Sequence, residues 1–339
     1  MVSELIILIP IWYTIGMEDI SKQFEQKKES IIDFSNVRIS YWSDEEINSF
    51  FDERIKALGN PEKFIEENKW QFDNFKSWRK DKGYSDSEMI KLFVKNEVSL
   101  SEEGKMTASR MRAEMEGKQE AIVRQVKLRL ATFLPNWKPE EVSVSFRVIE
   151  NANFIHPRKG ECEIDLRRLS FEPNPFESVV YGITHELFHE WISERGLHEE
   201  EPTSQHSACS AALYNTVDEG LAVLVGGKPG YLEEHYKSIG KDYEKTIIES
   251  FRYLNEYLML DDLKVMERKY QEGLSNMGPF YVVGFEMAKK VLESLGIERF
   301  REFVSHVREN PESLFDEYEM IAGVGSVLPK INRKNKRFL

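Results

Sequence analysis

One five-residue stretch, His185-Glu186-Leu187-Phe188-His189, constrains this chain more than any other. Two histidines four residues apart stand one above the other on a helix face. Their imidazoles can then grip one cation together. Glu186 lies about 100° round the helix from His185, within reach of a water on that cation without being a ligand itself. This HExxH arrangement needs a helix, and the flanking residues supply one. Asn174 is a good N-cap and Pro175 suits the first helical position. Gly196 is a natural stop, with Arg195 in the last turn, where a cation suits the helix dipole. Val180, Ile183, Leu187 and Trp191 make an apolar stripe at helical spacing. Both histidines lie off that stripe, so one face packs while another holds metal. The expected helix is roughly 20 residues and about 30 Å long.

Composition narrows the setting. With 339 residues, 41% of them hydrophobic and 31% charged, the chain can bury a core in the manner of a soluble globular protein. A net charge of −13 argues against a nucleic-acid partner and against docking on an anionic membrane. Two cysteines, Cys162 and Cys209, make neither a disulfide framework nor a Cys-rich zinc site, and a reducing cytoplasmic home follows. The apolar N-terminus, Leu5 to Ile15, has no basic n-region, is interrupted by Pro10 and follows Glu4. It is also too short to span a bilayer. A buried strand is expected there.

The first hundred residues read as helices. One is expected from Asp19 to about Ile32. Ser43-Asp44-Glu45-Glu46 resembles a capping box and opens another, to about Leu58. A third, over 62–79, places Trp70, Phe72, Phe75 and Trp78 at helical spacing as core. Ser85-Asp86-Ser87-Glu88 opens a fourth, and a long helix runs from Ser101 to about Phe133. The period then changes to two over Val142–Ile149 and again over Glu161–Leu166, around a turn-like loop containing His156. Laid beside the metal helix, such a sheet would offer an edge strand to an extended peptide. A further helix from about Ser207 to Val225 and an almost wholly helical stretch over 231–325 complete the pattern, before a basic tail.

A catalytic zinc takes three protein ligands and keeps one position for water. His185 and His189 supply two. The position six residues after His189 is Arg195, which excludes the three-histidine arrangement, and no cysteine is near. The motif resembles that of the gluzincin-type zinc metallopeptidases, and this resemblance implies a glutamate from a second, downstream helix as the third ligand. Glu219 fits, followed by Gly220, whose small size permits close helix approach; Asp218 and His206 are the alternatives.

The pair His-Glu-Leu-Phe-His and Val217-Asp218-Glu219-Gly220-Leu221-Ala222 resembles the gluzincin-type zinc metallopeptidases. The later Tyr281-Val282-Val283-Gly284 with Met287-Ala288 resembles the C-terminal part of predicted zinc-dependent peptidases of that group. The resemblance covers roughly 140–320 and departs in three places. The gap from His189 to Glu219 is long, implying an inserted loop around 196–206. Val223 stands where an Asp four residues after the ligand Glu is expected, so the partner of a metal histidine must come from elsewhere: Asp218 or Glu190 could serve, a merely solvated side chain being the other reading of Glu190. The Gly-x-Met-Glu-Asn aminopeptidase signature is missing.

The resemblance implies a predominantly helical α+β fold with a zincin-like catalytic core. It pairs a small antiparallel-edged sheet beside the HExxH helix with a helical C-terminal subdomain. Three regions are expected, 1–116, 117–196 and 197–339. One Zn²⁺ per chain would activate water for hydrolysis of a peptide or protein substrate in extended conformation, with Glu186 as general base. Tyr281 is the first choice to stabilise the oxyanion, followed by His156 and His206, against the alternative that Tyr281 is packed core. Two other functions are open: a catalytically silent zincin fold that binds a partner, and a metallohydrolase of a non-peptide amide.

Overall fold

The computed structural model describes residues 36–77, 84–134, 137, 139, 142–148, 154–155, 161–193, 204–227, 231–275 and 277–322. The expected N-terminal strand, the helix over 19–32, Trp78, His156, Arg195, Gly196 and the basic tail lie outside the described residues. Two compact units interleave along the chain. One is Ser35–Arg124 with Glu140–Gly182; the other includes Gln125–Pro139 and Ile183 onward.

The first unit holds the sheet. Its opening strand, β1 (Val37–Tyr41), follows the short alternation Val37, Ile39, Tyr41. Helix α1 (Asp44–Ala57) starts at Ser43, which accepts from the Glu46 amide while Glu46 returns a bond to the Ser43 amide. That is the capping box read from the sequence. The single helix expected over 62–79 is two, α2 (Pro61–Glu67) and α3 (Lys69–Ser77). The break falls at Asn68, whose backbone leaves the helical region (φ −117°, ψ 37°) while its main-chain and side-chain amides both donate to the Phe64 carbonyl. Phe72 and Phe75 meet Phe93 edge-on at 5.1 and 5.2 Å, as core residues do.

Where two helices were expected either side of Ser101, one runs through. Helix α4 (Asp86–Gly117) is 32 residues long, with Ser101 buried inside it, and it ends at the Gly117-Lys118 step before α5 (Gln119–Phe133). Strand β2 (Val142–Arg147) alternates buried and half-buried as its sequence does. It is followed by β3 (Phe154–Ile155), β4 (Glu161–Asp165), the short α6 (Leu166–Leu169) and α7 (Pro175–Ser193).

Sheet order is β1-β2-β4-β3. The three longer strands are parallel, with Val37 opposite Val142 and Val144 opposite Cys162. Residues 148–160 are a long enough connection to return the chain in the same direction, so the sheet is parallel where an antiparallel edge was expected. Among the described residues the antiparallel pairing is confined to the two residues of β3 against β4. The strand before the metal helix, β4, lies inside the sheet and not at its edge.

The second unit is helical. After α7 come α8 (Gln205–Gly226), α9 (Tyr231–Ser238), α10 (Tyr243–Tyr257), α11 (Leu263–Leu274), α12 (Pro279–Leu295), α13 (Ile297–Glu309) and α14 (Glu312–Ala322). Helix α12 is its centre, packing on α8, α10, α11, α13 and α14. From Phe280 to Ala288 it is buried except at Tyr281. A helix apolar on all sides belongs in an interior. Among the described residues no helix is long and apolar enough to cross a membrane.

Candidate metal centre

Helix α7 begins as its sequence dictates. Asn174 Oδ1 accepts from the Glu177 amide and the Asn174 carbonyl accepts from Ser178, with Pro175 at the first helical position. The expected apolar stripe is buried, but so is nearly everything else. From Val179 to Ile192 only Glu186 and His189 are less than buried. The helix therefore has no free polar face. It has one opening, and the motif occupies it.

Three ligand atoms converge there. His185 Nε2 and His189 Nε2 are 3.0 Å apart. Glu219 Oε2 lies 3.3 Å from each of them. A tetrahedral site with ~2.0–2.1 Å bonds has ligand atoms ~3.3 Å apart along its edges, so the three distances match the face of one zinc tetrahedron. Glu219 Oε2 is buried with no donor aligned on it beyond the two imidazole nitrogens 3.3 Å away, a setting in which a shared cation would satisfy all three atoms at once. Among the described residues, these three form the one group of His, Cys, Asp or Glu side chains arranged to hold a metal.

Electrostatics run the same way. Burial opposes a charge on His189, but the Asp218 and Glu219 carboxylates outweigh it and hold the imidazole well above its usual pKa. Burial also opposes an ionised Glu219, yet His189 and His185 hold its carboxyl far below the usual range. The pocket thus favours a negative Glu219 beside positive charge.

Asp218, one of the alternatives for third ligand, does something else. Its Oδ1 sits 2.8 Å from His189 Nδ1. A proton on Nδ1 leaves the Nε2 lone pair facing the cluster, as a metal-binding histidine requires. Consecutive residues of α8 thus serve opposite ends of one imidazole. Glu190, read as solvated or as the partner of a metal histidine, is buried. His206 is exposed in the first turn of α8. It lies thirteen residues before Glu219, about 20 Å along the helix at ~1.5 Å per residue, which removes it both as ligand and as oxyanion donor.

Tyr281 comes to this place through two glycines. A Cβ on Gly220 would overlap the Gly284 backbone and lie 2.6 Å from the Phe285 nitrogen. A Cβ on Gly284 would overlap the Thr216 carbonyl and lie 2.8 Å from Gly220 Cα. Helices α8 and α12 therefore touch backbone to backbone. Gly220 gives close approach as its sequence suggested, but to α12 rather than to the HExxH helix. The contact carries Tyr281, one turn before Gly284, onto Glu219. The Tyr281 ring lies parallel to that of His185, centroids 6.5 Å apart. Burial, then the charge of Glu219 and a hydrogen bond to it, then Glu186 and Asp218, push the Tyr281 hydroxyl well above the usual phenol range.

Sequence reasoning passed over Asn215, which shares a face of α8 with Glu219 one turn earlier. The signal was there in the four-residue spacing, but only the burial of everything around it makes that spacing informative.

A family model described as "Putative zinc dependent peptidase (DUF5700)" matches residues 35–322. No curated protein and no solved structure matches the chain.

Proposed function

The chain belongs to the DUF5700 family, and on that premise we propose that it is a gluzincin-type peptidase hydrolysing peptide bonds at a single zinc ion. His185, His189 and Glu219 are the ligands. The observation that carries this reading is the triangle of Nε2, Nε2 and Oε2 atoms with edges of 3.0, 3.3 and 3.3 Å. Bound zinc would polarise a peptide carbonyl and lower the pKa of water to about 7.

The other steps belong to the chain. Glu186 stands at the opening of α7 beside His189, half-buried and not among the three ligands. It takes the proton of the attacking water and delivers it to the leaving amine. Asp218 keeps the His189 proton on Nδ1 throughout. Tyr281 holds its hydroxyl proton and turns from Glu219 to the oxyanion as negative charge grows there. The substrate is a peptide or protein segment in extended conformation.

The test is metal content by mass spectrometry, with hydrolysis of a peptide library measured alongside. The expected result is about one zinc per chain, lost when His185 and His189 are both changed to Ala. Glu186→Gln should keep the zinc and lose at least about 100-fold in kcat. A protein that takes up no zinc, or a Glu186→Gln variant as active as wild type, overturns the proposal.

A further inference from the structure

Between Ala208 and Gly226 every residue of α8 is buried except Ala211, Asn215 and Glu219. Positions four apart share a helix face, so these three form a single half-open stripe ending at the metal centre. Asn215 is held within it. Its Nδ2 donates to the Ala211 carbonyl at 2.9 Å and to the Tyr270 hydroxyl oxygen at 2.5 Å. A carbonyl oxygen only accepts, so this end of the amide is the nitrogen and Oδ1 is turned the other way. Among the described residues no hydrogen bond reaches that oxygen. Tyr270 is braced in turn, its ring 6.0 Å from Phe280 at the start of α12.

We propose that Asn215 Oδ1 accepts a main-chain N–H of the extended substrate, making Asn215 a substrate-binding residue one helical turn from the metal. This rests on the peptidase reading above. The spacing supports it. Four residues of helix advance ~6 Å, and an extended peptide presents N–H and C=O groups to one side every ~6.6 Å. A peptide with its scissile carbonyl beside Glu219 therefore brings another main-chain group of the same side to Asn215. A fixed acceptor recognises what all residues but proline share, the backbone N–H. The site would take extended backbone of varied sequence and refuse proline at one position.

The test uses the zinc-loaded full chain, with binding measured by calorimetry. The probes are acetohydroxamate, which offers a metal-binding group without a peptide, a tetrapeptide hydroxamate, and the same tetrapeptide N-methylated at each amide in turn. In wild type one N-methylation should weaken binding about 5- to 20-fold. Asn215→Ala should weaken the unmodified tetrapeptide by the same factor, show no further loss on that N-methylation, and bind acetohydroxamate as wild type does. The inference is overturned if no single N-methylation weakens wild-type binding, which needs no variant to fold. It is also overturned if the N-methylation penalty survives in Asn215→Ala. Failure of acetohydroxamate to bind wild type overturns the metal-site reading itself, and this inference with it.

Discussion

Asp218 shows how much rests on a single hydrogen bond. Its carboxylate, buried and 2.8 Å from His189 Nδ1, would set which nitrogen of that imidazole faces a bound metal. Asp218→Asn keeps the shape and removes the charge. It should weaken zinc binding about 10- to 100-fold, measured by competition against a chelator of known affinity. An unchanged zinc affinity would show that His189 finds its orientation without Asp218. The grouping of His185, His189 and Glu219 was legible in the sequence because metal chemistry imposes spacing: i and i+4 for two histidines on one helix, and a glutamate on the next. Asp218 was legible only as one candidate for two jobs. Which job it holds depends on the rotation of α8 about its axis, and no local pattern encodes that rotation.

The α8–α12 contact sets that rotation. Gly220 and Gly284 let two backbones meet, and a methyl group at either would overlap main chain, which cannot swing aside. Gly284→Ala should destabilise the fold by about 3 kcal/mol or more, read from urea unfolding. The folded fraction should also bind zinc less tightly, since Glu219 and Tyr281 flank the two glycines. Wild-type stability in this variant would mean that the helices are further apart than described. Helix starts were readable here, since Ser43 and Asn174 cap as their residue types dictate. Interruptions were harder to read. A helix ends at Asn68, where the backbone leaves the helical region, whereas Ser101 passes through the middle of one. Strand direction was beyond reach, because residues 148–160 could have made a hairpin or a crossover.

On the scale of the whole molecule, zinc and folding are linked. The proposed ligands come from α7 and α8, whose facing residues His189 and Asp218 are twenty-nine positions apart in the chain, so only the folded chain presents all three together. Zinc at 100 times its dissociation constant should add about 2.7 kcal/mol of stability. Chelation should lower the melting temperature, zinc should restore it, and the His185→Ala, His189→Ala double variant should respond to neither. A double variant that zinc still stabilises would place the metal elsewhere. The predominance of helix was readable from the sequence's apolar periodicity, but the interleaving of the two units was not, since composition does not change where the chain passes from one to the other. The half-open positions of the buried helices also limit how this protein can change. On the buried stretches of α7, α8 and α12 they are Glu186, His189, Ala211, Asn215, Glu219 and Tyr281. Two of these are proposed metal ligands and two more carry out the proposed chemistry. On these buried stretches Ala211 alone is left without a proposed role, so a change in which side chains are accepted has to fall there or outside these stretches.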